Sequence, residues 1–199
     1  MPVTNVLIGG VGGQGAILAS ELLALAAIAS GHDAKQGEFH GVAQRGGSVF
    51  SHVRFGDHVY SPMARLGEVD FLVALEKLEA LRYAHFVRQG GTIIVNDHKI
   101  EPIRTADHRP YPDEAIEFLE GRGFNVIAMR GTEIAIELGN HRAANVVLLG
   151  RLAKMLDIPE QVWDRVLRER IPEKFSSLNQ QAFAAGWQSH AGEVSGTSS

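Results

Sequence analysis

A glycine-rich stretch near the amino terminus, residues 9–15, has residue types that suit the binding of an anion. Glycine has no Cβ, so it adopts positive φ and lets a ligand come close to the backbone. The stretch follows an apolar run, 3–8, and precedes an Ala/Leu-rich run, 16–30, which predicts a strand, a turn and a helix. The first N–H groups of such a helix suit a phosphate, a pyrophosphate or a carboxylate. The candidate binding residues are Gly10, Gly12, Gly13, Gln14 and Gly15.

The spacing of Gly10, Gly12 and Gly15 also matches the dinucleotide fingerprint. That fingerprint requires an acidic residue about 20 positions further on, at the end of a second strand. Asp33 and Glu38 are the candidates, but neither ends an apolar run. Spacing alone therefore leaves three interpretations open: binding of NAD or FAD, binding of another anionic ligand, and a turn that only packs a helix closely against a sheet.

A second unusual stretch, residues 37–47, combines four glycines with an acid, an imidazole, an amide and a guanidinium. These side chains can contact an anionic or carbonyl-bearing ligand. The alternative is a polar turn with a solvated arginine. In an α/β sheet we expect both stretches at the carboxyl ends of strands, where ligands bind. The candidate catalytic residues are His40, Gln44 and Arg45, and the candidate binding residues are Gly46 and Gly47.

The remaining pattern predicts an α/β fold: a central, mostly parallel but mixed sheet with helices on both faces and a helical C-terminal third. Apolar runs at 69–75 and 92–95 flank a helical pattern, which is typical of a βαβ unit. Residues 48–55 alternate in polarity and, with 58–60, predict an antiparallel hairpin, hence the mixed sheet.

Composition predicts a cytoplasmic protein of one domain. The 199 residues are 45% apolar and 21% charged, which is ordinary for a soluble globular chain. The net charge of −4, without a basic stripe, argues against nucleic acid as a partner. No apolar run reaches the roughly 18 residues needed to cross a bilayer, and the start lacks a signal-peptide pattern. The domain is predicted to span 1–188, followed by a Gly/Ser/Thr-rich, disordered tail at 189–199.

The absence of cysteine limits the chemistry of this chain. Without cysteine it has neither disulfides nor the thiolate ligands that an iron–sulfur cluster normally needs. His52 and His58 flank the predicted hairpin turn, but two histidines without a third ligand do not predict a metal site. We therefore expect no metal here, and any cluster involved in the function has to be held by another chain.

The two glycine-rich stretches together resemble the gamma-type subunit or domain of the 2-oxoacid:ferredoxin oxidoreductases. The resemblance spans about residues 3–188, and within the family it points to the smaller subunit of the indolepyruvate type. Its one departure is Val42, where the family often has Met, and we expect this to be neutral. The residues that carry the resemblance are 10–15, 38–49 and 51–54, with further matches at 69–70, at 76–80, at Asn145 and at Asn179.

The resemblance implies a part in a larger enzyme. Family members decarboxylate a 2-oxoacid on thiamine diphosphate, pass electrons through iron–sulfur clusters to ferredoxin and release an acyl-CoA. In the indolepyruvate type a large alpha subunit carries thiamine diphosphate, Mg²⁺ and [4Fe-4S] clusters, which implies an α2β2 assembly and an arylpyruvate such as indolepyruvate as the substrate. The smaller subunit completes the complex, and in relatives the equivalent domain takes part in coenzyme A binding. The resemblance implies no cofactor on this chain alone.

The resemblance also gives the candidate residues hypothetical roles. The turn at 10–15 would seat the coenzyme A pyrophosphate, Arg45 would pair with a phosphate or the substrate carboxylate, and Gln44 would hydrogen-bond a carbonyl. Two other functions stay open. One is a dinucleotide-binding oxidoreductase that uses the same turn for NAD or FAD, and the other is a purely structural subunit whose glycine stretches only contact a partner.

Overall fold

Six strands form one mixed sheet in the computed structural model, which describes residues 2–40, 47–100 and 111–189. They lie in the order β2-β3-β1-β4-β5-β6. β1, β4, β5 and β6 are parallel, whereas β3 is antiparallel to both of its neighbours, β1 and β2. The predicted mixed α/β sheet is therefore confirmed. The strands are β1 (Thr4–Val11), β2 (Asp33–His40), β3 (Ser48–Gly56), β4 (Val69–Ala74), β5 (Val87–Asn96) and β6 (Asn125–Met129).

Helices cover both faces of the sheet, as predicted. Within the described ranges they are α1 (Ala16–Ala29), α2 (Lys77–Tyr83), α3 (Ala115–Gly121), α4 (Gly131–Glu137), α5 (Ala144–Ala153), α6 (Glu160–Arg170) and α7 (Glu173–Gln188). α1 and α5 lie on one face, and α2 and α3 lie on the other. The last four helices pack together as the helical C-terminal third. None of the helices that the structure describes combines the length and the apolar composition that crossing a membrane requires.

The central strands contribute side chains to two cores. Val6 and Ile8 of β1 pack with Leu148 of α5 in one core, and Leu7 packs with Tyr83 of α2 in the other. Burying a large aliphatic side chain stabilises the fold by about 1.5–3 kcal/mol. Because central strands are buried on both faces, they are apolar throughout, and their continuous apolar runs therefore predict them from sequence.

The strand register determines what lies at the carboxyl edge of the sheet. Val11 at the end of β1 is paired with Ser48, and His40 at the end of β2 is paired with Val49. The carboxyl ends of β1 and β2 therefore meet the amino end of β3. The first glycine-rich stretch adjoins this edge, and so do the described residues of the second, 37–40 and 47.

β2 is a strand that its sequence does not predict. Residues 33–40 lack an apolar run, yet they form a strand that begins at Asp33, includes Glu38 and ends at His40. Among the described residues, β2 lies at the edge of the sheet and pairs with β3 alone. An edge strand tolerates polar residues, and here Gln36 Nε2 donates to Ser20 Oγ of α1 at 2.7 Å.

The predicted hairpin at 48–60 is also wrong. β3 ends at Gly56, and residues 57–60 form no strand. The sheet is mixed because β3 runs antiparallel between β1 and β2, not because the chain turns back after β3. The following loop is fastened to β3 instead, since Arg54 Nη1 donates to the carbonyls of Ser61 and Met63 at 2.9 and 3.0 Å.

β5 begins at Val87 and therefore includes Gly90 and Gly91. The tail predicted to be disordered lies outside the described residues from 190 onward, so its disorder stays a prediction.

Candidate functional site

The first glycine stretch divides between β1, a turn and the start of α1. Gly9 and Gly10 belong to β1, and Gly15 is the N-cap residue of α1. Gly13 and Gly15 have φ of 101° and 80°, in the left-handed region that favours glycine. A Cβ built on Gly13 meets no atom within 4 Å, so the backbone there is open to a ligand.

Other glycines of this stretch allow close packing inside the protein. A Cβ on Gly9 would lie 2.7 Å from the ring of Tyr83, and one on Gly15 would lie 2.4 Å from Nδ2 of Asn145. Nδ2 of Asn145 also donates to the Gly15 carbonyl at 3.0 Å. Close packing therefore explains the glycines at positions 9 and 15, and Gly13 is the position that remains open to a ligand.

The oxygen and the nitrogen of the Gln14 side-chain amide both hydrogen-bond to backbone groups around the turn. Its Oε1 accepts from the Val11 N–H at 2.8 Å, and its Nε2 donates to the Leu75 carbonyl at 3.0 Å. A Cβ on Gly10 would lie 3.1 Å from this Oε1. Gln14 thus ties the end of β1 to the residue that follows β4, and direct contact with a ligand stays a prediction.

The second glycine stretch meets the first through one backbone hydrogen bond. The Gly12 N–H donates to the Gly47 carbonyl at 2.9 Å. His40 ends β2 at the same edge. The roles predicted for the remaining members stay predictions, because the side chain of His40 and all of Gln44, Arg45 and Gly46 lie outside the described residues.

A cleft of about 310 Å³ opens beside the glycine turn. It crosses the carboxyl ends of β1, β4 and β5 and reaches the starts of α4 and α5. The chain leaves β1 toward β2 on one side and leaves β4 toward β5 on the other, so the cleft lies at the switch point where α/β proteins bind ligands. Its lining residues are Gly12, Gly13, Gln14, Leu75, His98, Ile100, Thr132, His141, Arg142, Ala144 and Asn145.

The rim of this cleft carries positive charge and imidazole groups. Arg142 is exposed and permanently protonated, and His98 and His141 lie beside it. The side chain of Asn140 accepts from the Arg142 N–H at 3.0 Å, which orders the turn before α5. Among the described residues, the lining contains no carboxylate, so the cleft suits an anionic group. No sequence pattern identifies these three residues, because they come from distant loops.

Glu76 organises the far wall of the cleft. This buried carboxylate accepts from the N–H groups of Leu78 and Glu79 at 2.7 and 3.2 Å and so caps α2. It also accepts from the Ile100 N–H at 3.1 Å and from the Tyr111 hydroxyl. Burial, together with the hydrogen bond to Glu76, raises the pKa of Tyr111 above its usual range. Glu76 is a structural anchor for the segment that carries His98.

Asn96 connects β5 to the start of α4 beneath the cleft. Its Nδ2 donates to Thr132 Oγ1 at 2.8 Å and to the Leu75 carbonyl at 3.2 Å, and its Oδ1 accepts from the Thr132 N–H. Asn96 is 1% exposed. This polar strand end therefore orients Thr132 of the lining and is not itself open to a ligand.

The opposite side of the glycine turn holds a second buried carboxylate, Glu79. Its Oε2 accepts from Ser48 Oγ, which is also hydrogen-bonded to the Tyr83 hydroxyl. Arg82 Nε lies 3.3 Å from the other carboxylate oxygen. Burial raises the pKa of Glu79, although the Ser48 hydrogen bond and Arg82 act in the other direction.

His52 is fully buried among the rings of Phe39, Phe50 and Phe86, and neither ring nitrogen has a hydrogen-bond partner among the described residues. Burial, with Arg54 nearby, lowers the pKa of His52 to about 4, so it is neutral at physiological pH. Because residues 57–60 form no strand, no hairpin brings His58 opposite it. Within the described ranges, no three His, Asp or Glu side chains group as metal ligands.

The topology disfavours the dinucleotide alternative. In a Rossmann unit the strand that carries the acidic residue is parallel to β1 and next to it. Here the antiparallel strand β3 separates β2 from β1. Glu38 of β2 is therefore two strands away from the glycine turn, and its Oε1 accepts from Gln36 at 3.2 Å.

Comparison with known proteins identifies the family. The sequence model of the family described as pyruvate ferredoxin/flavodoxin oxidoreductase matches residues 5–189. The chain belongs to this family. It is 39% identical to the indolepyruvate oxidoreductase subunit IorB of Pyrococcus horikoshii over 189 residues, which cover 92% of this chain and 93% of the relative. The resemblance inferred from the glycine stretches is thereby confirmed.

Solved structures of this family share the fold. The crystal structure of the gamma subunit of a keto/oxoacid ferredoxin oxidoreductase from Geobacter sulfurreducens PCA matches with a TM-score of 0.73 and 25% identity, over 94% of this chain and 96% of that one. A 2-oxoglutarate:ferredoxin oxidoreductase from Magnetococcus marinus, solved with 2-oxoglutarate, coenzyme A and succinyl-CoA bound, matches with a TM-score of 0.73 and 19% identity, over 94% of this chain and 31% of that one. This chain is thus a small subunit of a 2-oxoacid ferredoxin oxidoreductase, which implies a larger partner subunit.

Proposed function

We propose that this subunit completes the active site of a thiamine-diphosphate-dependent 2-oxoacid:ferredoxin oxidoreductase and helps to bind coenzyme A there. The observation that carries the proposal is the cleft at the switch point, which is lined both by Gly13, with its open backbone, and by Arg142. An anion in this cleft meets N–H groups of the turn and a permanent positive charge. The coenzyme A pyrophosphate has the charge and the acceptor oxygens for such a place.

The other cofactors of the reaction do not fit the residues of this chain. The sequence has no cysteine to hold a [4Fe-4S] cluster, and the described residues hold no group of side chains suited to Mg²⁺. We place thiamine diphosphate, Mg²⁺ and the clusters on the larger partner subunit, in an α2β2 assembly with ferredoxin as the electron acceptor. Thiamine diphosphate on that partner supplies the chemistry of decarboxylation.

The residues of this chain act by binding and orientation. Phosphate oxygens accept hydrogen bonds from the glycine turn and from the rim histidines, while Arg142 neutralises charge. In this proposal Arg45 pairs with a phosphate or with the substrate carboxylate, Gln44 donates to a carbonyl, and His40 contacts the same ligand. The substrate is an arylpyruvate such as indolepyruvate, in line with the name of the Pyrococcus relative.

Arginine variants in the assembled complex test this function. Arg45→Ala and Arg142→Ala should raise KM for coenzyme A or the 2-oxoacid, by about tenfold for a paired arginine, because a charge-assisted hydrogen bond is lost. Copurification of the partner should be unchanged. Arg168→Ala on the exposed side of α6 is the matched control and should leave both constants unaltered.

The alternatives make different predictions for the same variants. A purely structural subunit loses partner binding in Arg45→Ala or Arg142→Ala, while any complex that still forms keeps its KM values. Unchanged KM values in an intact complex would remove both arginines from the site. A dinucleotide-binding oxidoreductase would instead bind NAD or FAD, which a titration of the complex followed by flavin or nicotinamide fluorescence would detect.

A further inference from the structure

Ser48, Glu79 and Tyr83 form a polar cluster beside the glycine turn but outside the cleft. Ser48 Oγ is hydrogen-bonded both to Glu79 Oε2 and to the Tyr83 hydroxyl. The side chain of Glu79 is 3% exposed, and its remaining oxygen is 3.3 Å from Arg82 Nε. Every polar group of the cluster therefore has a partner.

The burial of the Glu79 carboxylate requires a physical explanation. Taking a charged group out of water is unfavourable, and the neighbouring residue Ala80 and the ring of Tyr83 show that this side of α2 faces an apolar core. An aliphatic side chain at position 79 would pack there without that penalty. A buried polar network of this kind imposes one geometry on the backbone segments that it joins.

The segments joined by the cluster are those that hold the glycine turn. The ring of Tyr83 fills the space left by the missing side chain of Gly9. Ser48 directly follows Gly47, whose carbonyl accepts from the Gly12 N–H at 2.9 Å. Gly12 in turn lines the cleft. A continuous path of contacts therefore runs from α2 through Ser48 to the turn.

We propose that Ser48, Glu79 and Tyr83 are positioning residues for the coenzyme A-binding edge. They hold Gly47 against Gly12, whose N–H is committed to the Gly47 carbonyl, and so fix the following N–H, that of Gly13, in the orientation that receives the ligand. Two adjacent glycines are intrinsically free to rotate, and amides that are fixed before the ligand arrives lose less entropy on binding. This inference rests on the proposed function, because it assigns a ligand to the turn.

Removal of single hydroxyls in the assembled complex provides the test. Ser48→Ala removes the bridging group, whereas Tyr83→Phe keeps the ring under Gly9 and removes only its hydroxyl. Each should raise KM for coenzyme A by about threefold to tenfold, the loss expected for one hydrogen bond, with kcat and copurification unchanged. The double variant should resemble the single ones, because both residues act through one network. Ser48→Thr keeps the hydroxyl and should restore KM.

Glu21→Gln is the matched control, since it breaks an exposed ion pair with Arg170 at 2.6 Å, distant from the turn. The positioning role is overturned if Ser48→Ala and Tyr83→Phe keep the wild-type KM. It is equally overturned if they lower thermal stability and kcat while KM stays constant, because that pattern marks a purely structural network. If Arg142→Ala raises KM and the hydroxyl variants do not, the proposed function stands and this inference fails; if none of them changes KM, both fail.

Discussion

Neighbouring residues of the glycine turn have different physical roles. Gly15 is required because its positive φ and the Asn145 amide leave no room for a side chain, whereas Gly13 faces open space. Gln14 is committed to backbone groups of β1 and of Leu75. Since the Gly12 N–H already donates to the Gly47 carbonyl, the candidate for direct ligand contact at this turn is the N–H of Gly13, with charge supplied by Arg142.

His52 is a buried residue surrounded by aromatic rings. Its ring packs edge-on against them, and neither nitrogen has a hydrogen-bond partner within the part of the chain that the structure describes. A buried polar group without a hydrogen bond is destabilising. The nearest charged group affecting it is Arg54, which opposes protonation. His52 is thus a position where polarity weakens the fold, most strongly in acid.

His52→Leu should stabilise the fold and reduce its sensitivity to acid. At neutral pH we expect a gain of about 1 kcal/mol from removal of the unpaired ring nitrogens. The folded pKa of about 4 lies below the ordinary 6.5. The unfolded chain therefore takes up a proton first as the pH falls, and the wild type should lose about 2 kcal/mol between about pH 7 and about pH 5 that the variant keeps.

Thermal unfolding of wild type and His52→Leu at the two pH values measures this difference. Arg88→Gln, which breaks an exposed ion pair with Asp70 on the same side of the sheet, is a control for general acid effects. An equal loss of stability in wild type and His52→Leu would mean that His52 does not titrate in the unfolding transition.

At the scale of elements, α5 and α7 approach each other through glycines. A Cβ on Gly186 would lie 1.8 Å from the Val147 carbonyl oxygen, and one on Gly150 would lie 2.2 Å from the Phe183 carbonyl oxygen. The two backbones are therefore nearly in contact. α5 in turn supplies Asn145, which holds the glycine turn. The helical C-terminal third thus supports the site by fixing the position of α5.

Gly186→Ala should force α7 away from α5. We expect a loss of about 3 kcal/mol of folding free energy, because the clash is with backbone that cannot rotate away. Gly121→Ala, at the end of α3, is the matched control: a Cβ there meets nothing within 4 Å, and alanine favours a helix by about 0.5–1 kcal/mol. In urea unfolding, Gly186→Ala should be less stable than the wild type and Gly121→Ala more stable. Equal stabilities of the two variants would contradict the close contact between α5 and α7.

The sequence predicted those elements whose burial is uniform. Central strands such as β1 and β4 are apolar on both faces, so their runs are unmistakable. β2 escaped prediction because it is an edge strand whose polar residues contact α1. The hairpin was predicted wrongly because the alternating pattern of β3 indicates antiparallel neighbours without identifying the strands that pair with it.

At the scale of the whole molecule, the sheet assembles one edge from distant parts of the chain. The glycine turn, the loop after β5 and the start of α5 border one cleft. The first could be predicted from its glycines, since strand, turn and helix follow directly in sequence. His98, His141 and Arg142 could not, because only the order of strands brings their loops beside residue 13. The same holds for Ser48 and Glu79, which are 31 positions apart.

This arrangement also explains why the chain acts as a subunit. Its cleft offers backbone amides and the cationic side chain of Arg142, and its sequence offers no thiolate to carry electrons. Such a surface can bind and orient an anionic substrate. In the proposed function the redox chemistry of the family comes from the larger partner, so each chain should be inactive without the other.

Reconstitution of activity from separate subunits tests the central claim most directly. Coenzyme A-dependent oxidation of indolepyruvate, with ferredoxin as the electron acceptor, would be measured with the larger subunit alone, with this chain alone and with both. The account predicts turnover for the pair only, in a complex with the visible absorbance of iron–sulfur clusters. Full turnover and an unchanged KM for coenzyme A with the larger subunit alone would contradict a shared site.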